Sequence, residues 1–104
     1  MKQWAAMNTQ AQHTFSPGTR WLKIVGDRRY VIELHQDGSV TEWFESAPGD
    51  TWTGSWEAKA IDWGSLAPGL EYRIGGYTGF VVVEPFVEHP HGVEGEERVE
   101  FRKL

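Results

Sequence analysis

The sequence predicts an all-β chain: an antiparallel up-and-down meander of about seven strands that forms a small barrel or half-barrel. Turn-forming pairs recur about every ten residues from Ser16 onward, and β-branched and aromatic residues fill the runs between them. Independent hairpins, folded in register, also place large rings opposite strand glycines, a known stabilising arrangement. The chain divides into an N-terminal tail or short helix over 1–15 and a single β-meander domain over 16–104.

Along the chain, Met1–Gln12 alone has helical spacing, with Trp4, Met7 and Ala11 on one stripe. Strands are expected at 19–25, 29–35, 39–45, 51–58, 70–74, 77–87 and 93–103. The turns are Pro17-Gly18, Gly26-Asp27, Asp37-Gly38, Pro48-Gly49, Pro68-Gly69, Gly75-Gly76 and His89-Pro90-His91-Gly92. Pro presets φ at one turn position and Gly supplies the positive φ at the next. Residues 59–69 read as a loop with a short helical turn at Ile61-Asp62-Trp63.

Registers follow from the turns. Gly26-Asp27 as a two-residue turn sets Arg20 beside Glu33. Asp37-Gly38 as a two-residue type I′ turn sets Leu34 opposite Thr41, Ile32 opposite Trp43 and Val31 opposite Phe44. Pro48-Gly49 then puts Trp43 opposite Gly54 and Thr41 opposite Trp56. One face gathers Tyr30, Ile32, Leu34, Trp43, Trp52 and Trp56. Gly75-Gly76 sets Tyr72 opposite Gly79, Leu70 opposite Val81 and Ile74 opposite Tyr77. A turn at Pro90-His91 would bring Glu84 against Glu97, a destabilising like-charge pair. A bulge at Gly95 relieves it, setting Val83 against Val99, Val81 against Phe101 and Glu84 against Arg98.

Composition narrows the function classes. The 104 residues hold six Trp, three Tyr and five Phe, and such rings build both cores and binding surfaces. A net charge of -5 argues against nucleic acid or an anionic membrane as partner, since either needs a basic patch. Without Cys there is no disulfide framework or thiolate chemistry. No apolar run approaches the roughly 20 residues of a membrane helix, and Met1–Met7 lacks a signal-peptide h-region. The expected location is cytoplasmic.

No phosphate loop, zinc-protease helix, EF-hand or nucleophile elbow occurs, so no catalytic residue, metal set or cofactor is assigned. Gly75-Gly76-Tyr77-Thr78-Gly79 reads as a hairpin, since no helix follows to hold a phosphate. His89 and His91, near Glu88 and Glu94, read as turn histidines, because two imidazoles fall short of a metal's ligand set. His13 and His35 have no evident partner. Glu33 and Glu42 face one another in the derived register and could divide acid and base work, as in a hydrolase. The row Arg20–Glu33–Glu42–Ser55 reads more simply as a solvated ion network.

Two binding surfaces remain. Tyr30, Trp43, Trp52, Trp56 and Tyr72 could line a pocket for an apolar or sugar ligand, or be plain core. Trp63, in the loop, is the better candidate for an exposed ring. On the outer face, Leu22, Val31 and Phe44 form an apolar row across three strands, with Phe80 and Val82 also outward. A contiguous patch of this kind implies a cover, either the N-terminal stripe or a second copy of the chain.

The meander and Trp52-x-Gly54-Ser55-Trp56 resemble small calycin-type barrels, the lipocalin- and avidin-like proteins. In lipocalins a Gly-x-Trp on the first strand has an Arg from the last strand packed over the Trp. Here the first strand carries Gly18-Thr19-Arg20-Trp21, Gly54-Ser55-Trp56 lies in a middle strand, and Arg98 and Arg102 are on the last. The resemblance implies non-enzymatic binding of a small apolar ligand. The residues themselves favour a non-catalytic interaction module acting through the outer row, by protein partnership or homodimer formation. A small-molecule-binding barrel is the alternative, and a hydrolase using the carboxylate pair comes third.

Overall fold

The computed structural model describes residues 2–104; Met1, the first residue of the expected helical segment, lies outside them. A helix, α1 (Lys2–Thr14), precedes eight strands: β1 (Arg20–Val25), β2 (Arg28–Leu34), β3 (Ser39–Phe44), β4 (Ala47–Asp62), β5 (Leu66–Ile74), β6 (Tyr77–Val82), β7 (His91–Glu94) and β8 (Glu97–Lys103). Each strand pairs antiparallel with the next, and β8 pairs with β1 from Trp21↔Lys103 to Val25↔Val99, closing the barrel. Closure removes both sheet edges. Eight strands leave an interior just wide enough for side chains to fill. Ile32, Leu34, Val40, Leu70, Tyr72, Val81, Val99 and Phe101 fill most of it.

Two hairpins adopt the register their turns predict. Gly26-Asp27 places Arg20 opposite Glu33, and Gly75-Gly76 places Tyr72 opposite Gly79, Leu70 opposite Val81 and Ile74 opposite Tyr77. The glycine opposite Tyr72 is required by space. A Cβ on Gly79 would lie 2.4 Å from the Tyr72 ring and hydroxyl, so only a bare backbone lets that ring lie across the barrel.

The hairpin at Asp37-Gly38 differs by one residue. Leu34 pairs with Val40, Ile32 with Glu42, Val31 with Trp43 and Tyr30 with Phe44. The Asp37 carboxylate accepts hydrogen bonds from the Ser39 amide (2.9 Å) and hydroxyl (2.6 Å). The His35 amide donates to the Ser39 carbonyl at 2.9 Å, and Gly38 takes φ 87°. The result is a three-residue loop with glycine in the left-handed region. A one-residue slip turns every side chain of a strand to its other face. Trp43 therefore points outward, while Glu42 and Phe44 point inward.

Further along, the β3–β4 turn falls at Glu45-Ser46 rather than Pro48-Gly49, with Phe44 opposite Ala47 and Trp43 opposite Thr51. Trp43 does not meet Gly54, and Thr41 meets Thr53 rather than Trp56. Pro48 sits within the register shift, where its missing N–H is tolerated. The segment 59–69 is not a loop, because β4 and β5 continue to a tight connection at 63–65. This extension supports the helix: α1 packs on β4 and β5, and Asn8 Oδ1 accepts from the Ala60 amide at 2.6 Å.

Pairing of β6 stops at Val82, before Pro85, which has no N–H for an interior ladder. Residues 83–90 cross the surface, and Gly95-Glu96 is a turn joining β7 to β8, with Glu94 opposite Glu97. The expected bulge at Gly95 is thus a hairpin turn, and the span 93–103 is divided between two strands. Val81 and Val99 both face Gly92, and Glu84 is not opposite Arg98.

The helix does not cover the outer row. Ala11 and Phe15 are fully buried at one barrel end, where Phe15 meets Trp21 at 5.2 Å between ring centroids. With Phe44 turned inward, the row is Leu22–Val31–Trp43. Leu22 is only 5% exposed within a single copy of the chain, and the Arg20 guanidinium lies over the Trp43 ring at 5.6 Å. Phe80 is met edge-on by Trp63 at 5.4 Å.

Gly79→Ala is expected to lower stability by about 1–3 kcal/mol in urea unfolding, because Tyr72 must shift within a packed interior. Gly49→Ala, whose added Cβ meets nothing within 4 Å, should stay within about 0.5 kcal/mol of the parent. Equal effects at the two positions would show that Tyr72 packing is not the constraint at Gly79.

Candidate functional site

Strand alternation carries polar groups into the interior at one level. With Leu22 outward, Lys23 of β1 points in between Trp21 and Val25. The shifted β2–β3 register turns Glu42 in, and the Gly95-Glu96 turn places Glu94 of β7 beside them. Side-chain exposures are 3% for Lys23, 8% for Glu42 and 11% for Glu94. The Lys23 ammonium lies against Glu42 Oε1 and donates to Glu94 Oε1 at 2.6 Å. Tyr72 donates its hydroxyl to the same Glu94 oxygen at 2.9 Å. The ammonium also sits 4.6 Å from the Tyr30 ring centroid and 5.3 Å from that of Tyr72.

Electrostatically the cluster is unbalanced, with two carboxylates around one ammonium. Burial pushes the Glu42 carboxyl above the usual carboxylate range; Lys23 opposes the shift, and Glu94 adds to it. Glu42 Oε1 is buried against the Lys23 ammonium and has no other donor among the described residues. Burial, followed by the Glu94 charge, holds the Tyr72 phenol far above its ordinary range, so it remains a donor.

Above this floor lies a cavity of about 210 Å³, lined by Tyr30, Phe44, Trp52, Ile74 and Tyr77, with Arg28 at its edge. Tyr30 and Phe44 stack at 4.9 Å, and Phe44 meets Trp52 edge-on at 5.2 Å. Tyr77 is 63% exposed, which marks this end as open. Arg28 is held outward in an ion pair with Glu97. The opposite end is closed by Phe15 and Trp21, so the pocket is blind.

The candidate residues are distributed as follows. Tyr30 and Trp52 line the cavity, and Tyr72 lies beneath it as part of the floor. Trp56 is on the closed side, where its indole donates to the His35 carbonyl at 2.9 Å. Trp43 is outside the barrel. Phe44, expected on the outer row, lines the pocket. Glu33 and Glu42 are on opposite faces, and Glu33 pairs with Arg20 at 2.6 Å. His91 Nε2 lies 2.6 Å from Glu84 Oε2. Among the described residues no three metal-ligating side chains converge. His89 and His91 border a larger groove of about 1170 Å³ on the outer surface, between residues 87–93 and β8. No buried unpaired group faces that groove among the described residues. Lys23, Glu94, Arg28 and Tyr77 were not among the candidates. Lys23 follows from alternation once Leu22 is placed outside, whereas Glu94 depends on the division of 93–103. No family model, curated protein or solved structure matches the chain.

Lys23→Met leaves two buried carboxylates without a counter-ion and is expected to destabilise the fold by about 3–5 kcal/mol in urea unfolding. Glu42→Gln acts in the opposite sense. A carboxyl whose folded pKa lies above its unfolded value stabilises most when protonated, and that contribution is lost as pH rises through the folded pKa. The variant should match the parent at acidic pH and exceed its stability at neutral pH, as read from urea midpoints across the range. A Glu42→Gln midpoint below the parent at neutral pH would overturn this assignment.

Proposed function

We propose that this barrel is a non-enzymatic small-molecule-binding protein that takes one compact, ring-bearing ligand in its open end. The observation that supports the reading is the blind cavity, with aromatic walls above a polar, buried floor. Ligand sites commonly have this composition, mostly apolar walls with a few placed polar groups, and the mouths of β-barrels are a frequent location. About 150 Å³ suffices for benzene, so 210 Å³ accommodates a single ring with a short substituent.

The likeness to calycin-type barrels points the same way. Trp21 on the first strand lies under a cation from the last strand, the Lys103 ammonium at 5.9 Å from its ring. This resembles the lipocalin arrangement, with Lys in place of Arg and one residue more between Gly18 and Trp21. The interaction-module reading has less support, because Phe44 faces the pocket and Leu22 is covered within one copy. The carboxylate pair expected of a hydrolase does not form, since Glu33 and Glu42 lie on opposite faces.

Screening single-ring compounds by amide chemical-shift perturbation is the direct test. Shifts are expected at Tyr30, Phe44, Trp52 and Tyr77, and should disappear in Phe44→Ala. Shifts confined instead to Leu22, Val31 and Trp43 would transfer the function to the outer face.

A further inference from the structure

We propose that the ligand of this pocket carries a protonated amine whose charge is answered by Glu42; the inference rests on the small-molecule reading above and names its ligand class. The charges around the cavity give the first argument. Lys23 stands against Glu42 and Glu94, and Arg28 is taken up by Glu97. Two cations and three carboxylates leave one negative charge without a counter-ion.

Hydrogen bonding locates that charge. Glu94 Oε1 receives both the Lys23 ammonium and the Tyr72 hydroxyl, whereas Glu42 Oε1 has the shared Lys23 ammonium alone. Glu42 is therefore the floor group with unused acceptor capacity. A buried carboxylate that shares its one cation with a second carboxylate is costly to hold charged, and a ligand that brings a further charged donor gains most from it.

The walls agree with the floor. Aromatic faces attract cations through their quadrupole, and the Lys23 ammonium already occupies such a place over Tyr30. Phe44 and Trp52 offer further ring surface above it. A carboxylate ligand would instead meet Glu42 and Glu94 in a poorly solvated space. A neutral alcohol could donate a hydrogen bond but would leave the charge unbalanced. An ammonium group one carbon from a single ring fits both the size and the charge of the site.

The test is isothermal titration of the full chain at neutral pH with three probes of one shape: benzylamine, benzyl alcohol and benzoate. Benzylamine is expected to bind more than about tenfold tighter than benzyl alcohol, the usual scale for a charge-assisted hydrogen bond, with no binding of benzoate. In Glu42→Gln, with folding checked by urea unfolding, amine and alcohol should reach parity. If benzyl alcohol or benzoate binds as well as the amine, the pocket reading stands and the cation inference falls. If none of the three binds and tryptophan fluorescence does not respond, the pocket reading fails with it.

Discussion

Lys23 brings a full charge into the interior of a narrow barrel, and removing such an ion from water costs several kcal/mol even after relaxation. That penalty dictates what stands opposite it. Carboxylates must arrive from neighbouring strands, and they do so from β3 and β7. Glu42 reaches the interior only because the Gln36–Gly38 loop takes three residues instead of two. Glu94 is correctly placed because β6 ends before Pro85 and the chain returns as a separate short strand. Tyr72, whose hydroxyl completes the shell of Glu94, can lie across the interior only because Gly79 has no side chain.

The two ends of the barrel divide the work. Ala11, Phe15 and Trp21 close one end with apolar volume, and the rings of Trp21, Phe101 and Tyr72 follow in sequence towards the centre. This dry half strengthens every electrostatic contact at the level of Lys23, since screening falls as water is excluded. The other end is not filled in the same way, and a cavity remains above its polar floor. Its rings therefore stand around a space instead of meeting across it.

How far this was legible in the sequence depended on turn chemistry. Gly26-Asp27 and Gly75-Gly76 admit one loop length each, and their registers followed residue by residue. Asp37-Gly38 admits two lengths, and the choice is made by the Asp37 carboxylate, which folds onto the Ser39 amide and hydroxyl. Clustering of apolar side chains favoured the wrong length, because it placed Trp43 inside and Glu42 outside. Burial of an acidic side chain in preference to tryptophan makes sense only once Lys23 is known to be there. Alternation from Leu22 implied an inward Lys23, and that single inference would have called for an inward carboxylate. The all-β meander, the N-terminal helix and two pocket residues, Tyr30 and Trp52, were readable; the polar floor was not, because it comes from three strands distant in sequence.

Stability alone does not account for such a floor. Replacing a buried charge cluster with well-packed apolar residues is often neutral or stabilising, and this barrel has aromatic volume in abundance. The cluster is also left incompletely paired, with Glu42 displaced towards its protonated form by the same burial that keeps Lys23 dry. Sequences that specify a fold are consistent at every level, and departures from that consistency concentrate where a protein acts. Perturbed ionisable groups in a cleft follow the same rule. In this barrel a departure of that kind lies on the floor of the end that the helix leaves open, beneath an aromatic mouth. The coincidence of an unbalanced charge cluster and a cavity above it separates this place from the ion pairs on the surface. Those pairs, such as Arg20–Glu33 and Arg29–Glu45, are open to solvent on their outer side and contribute little to stability.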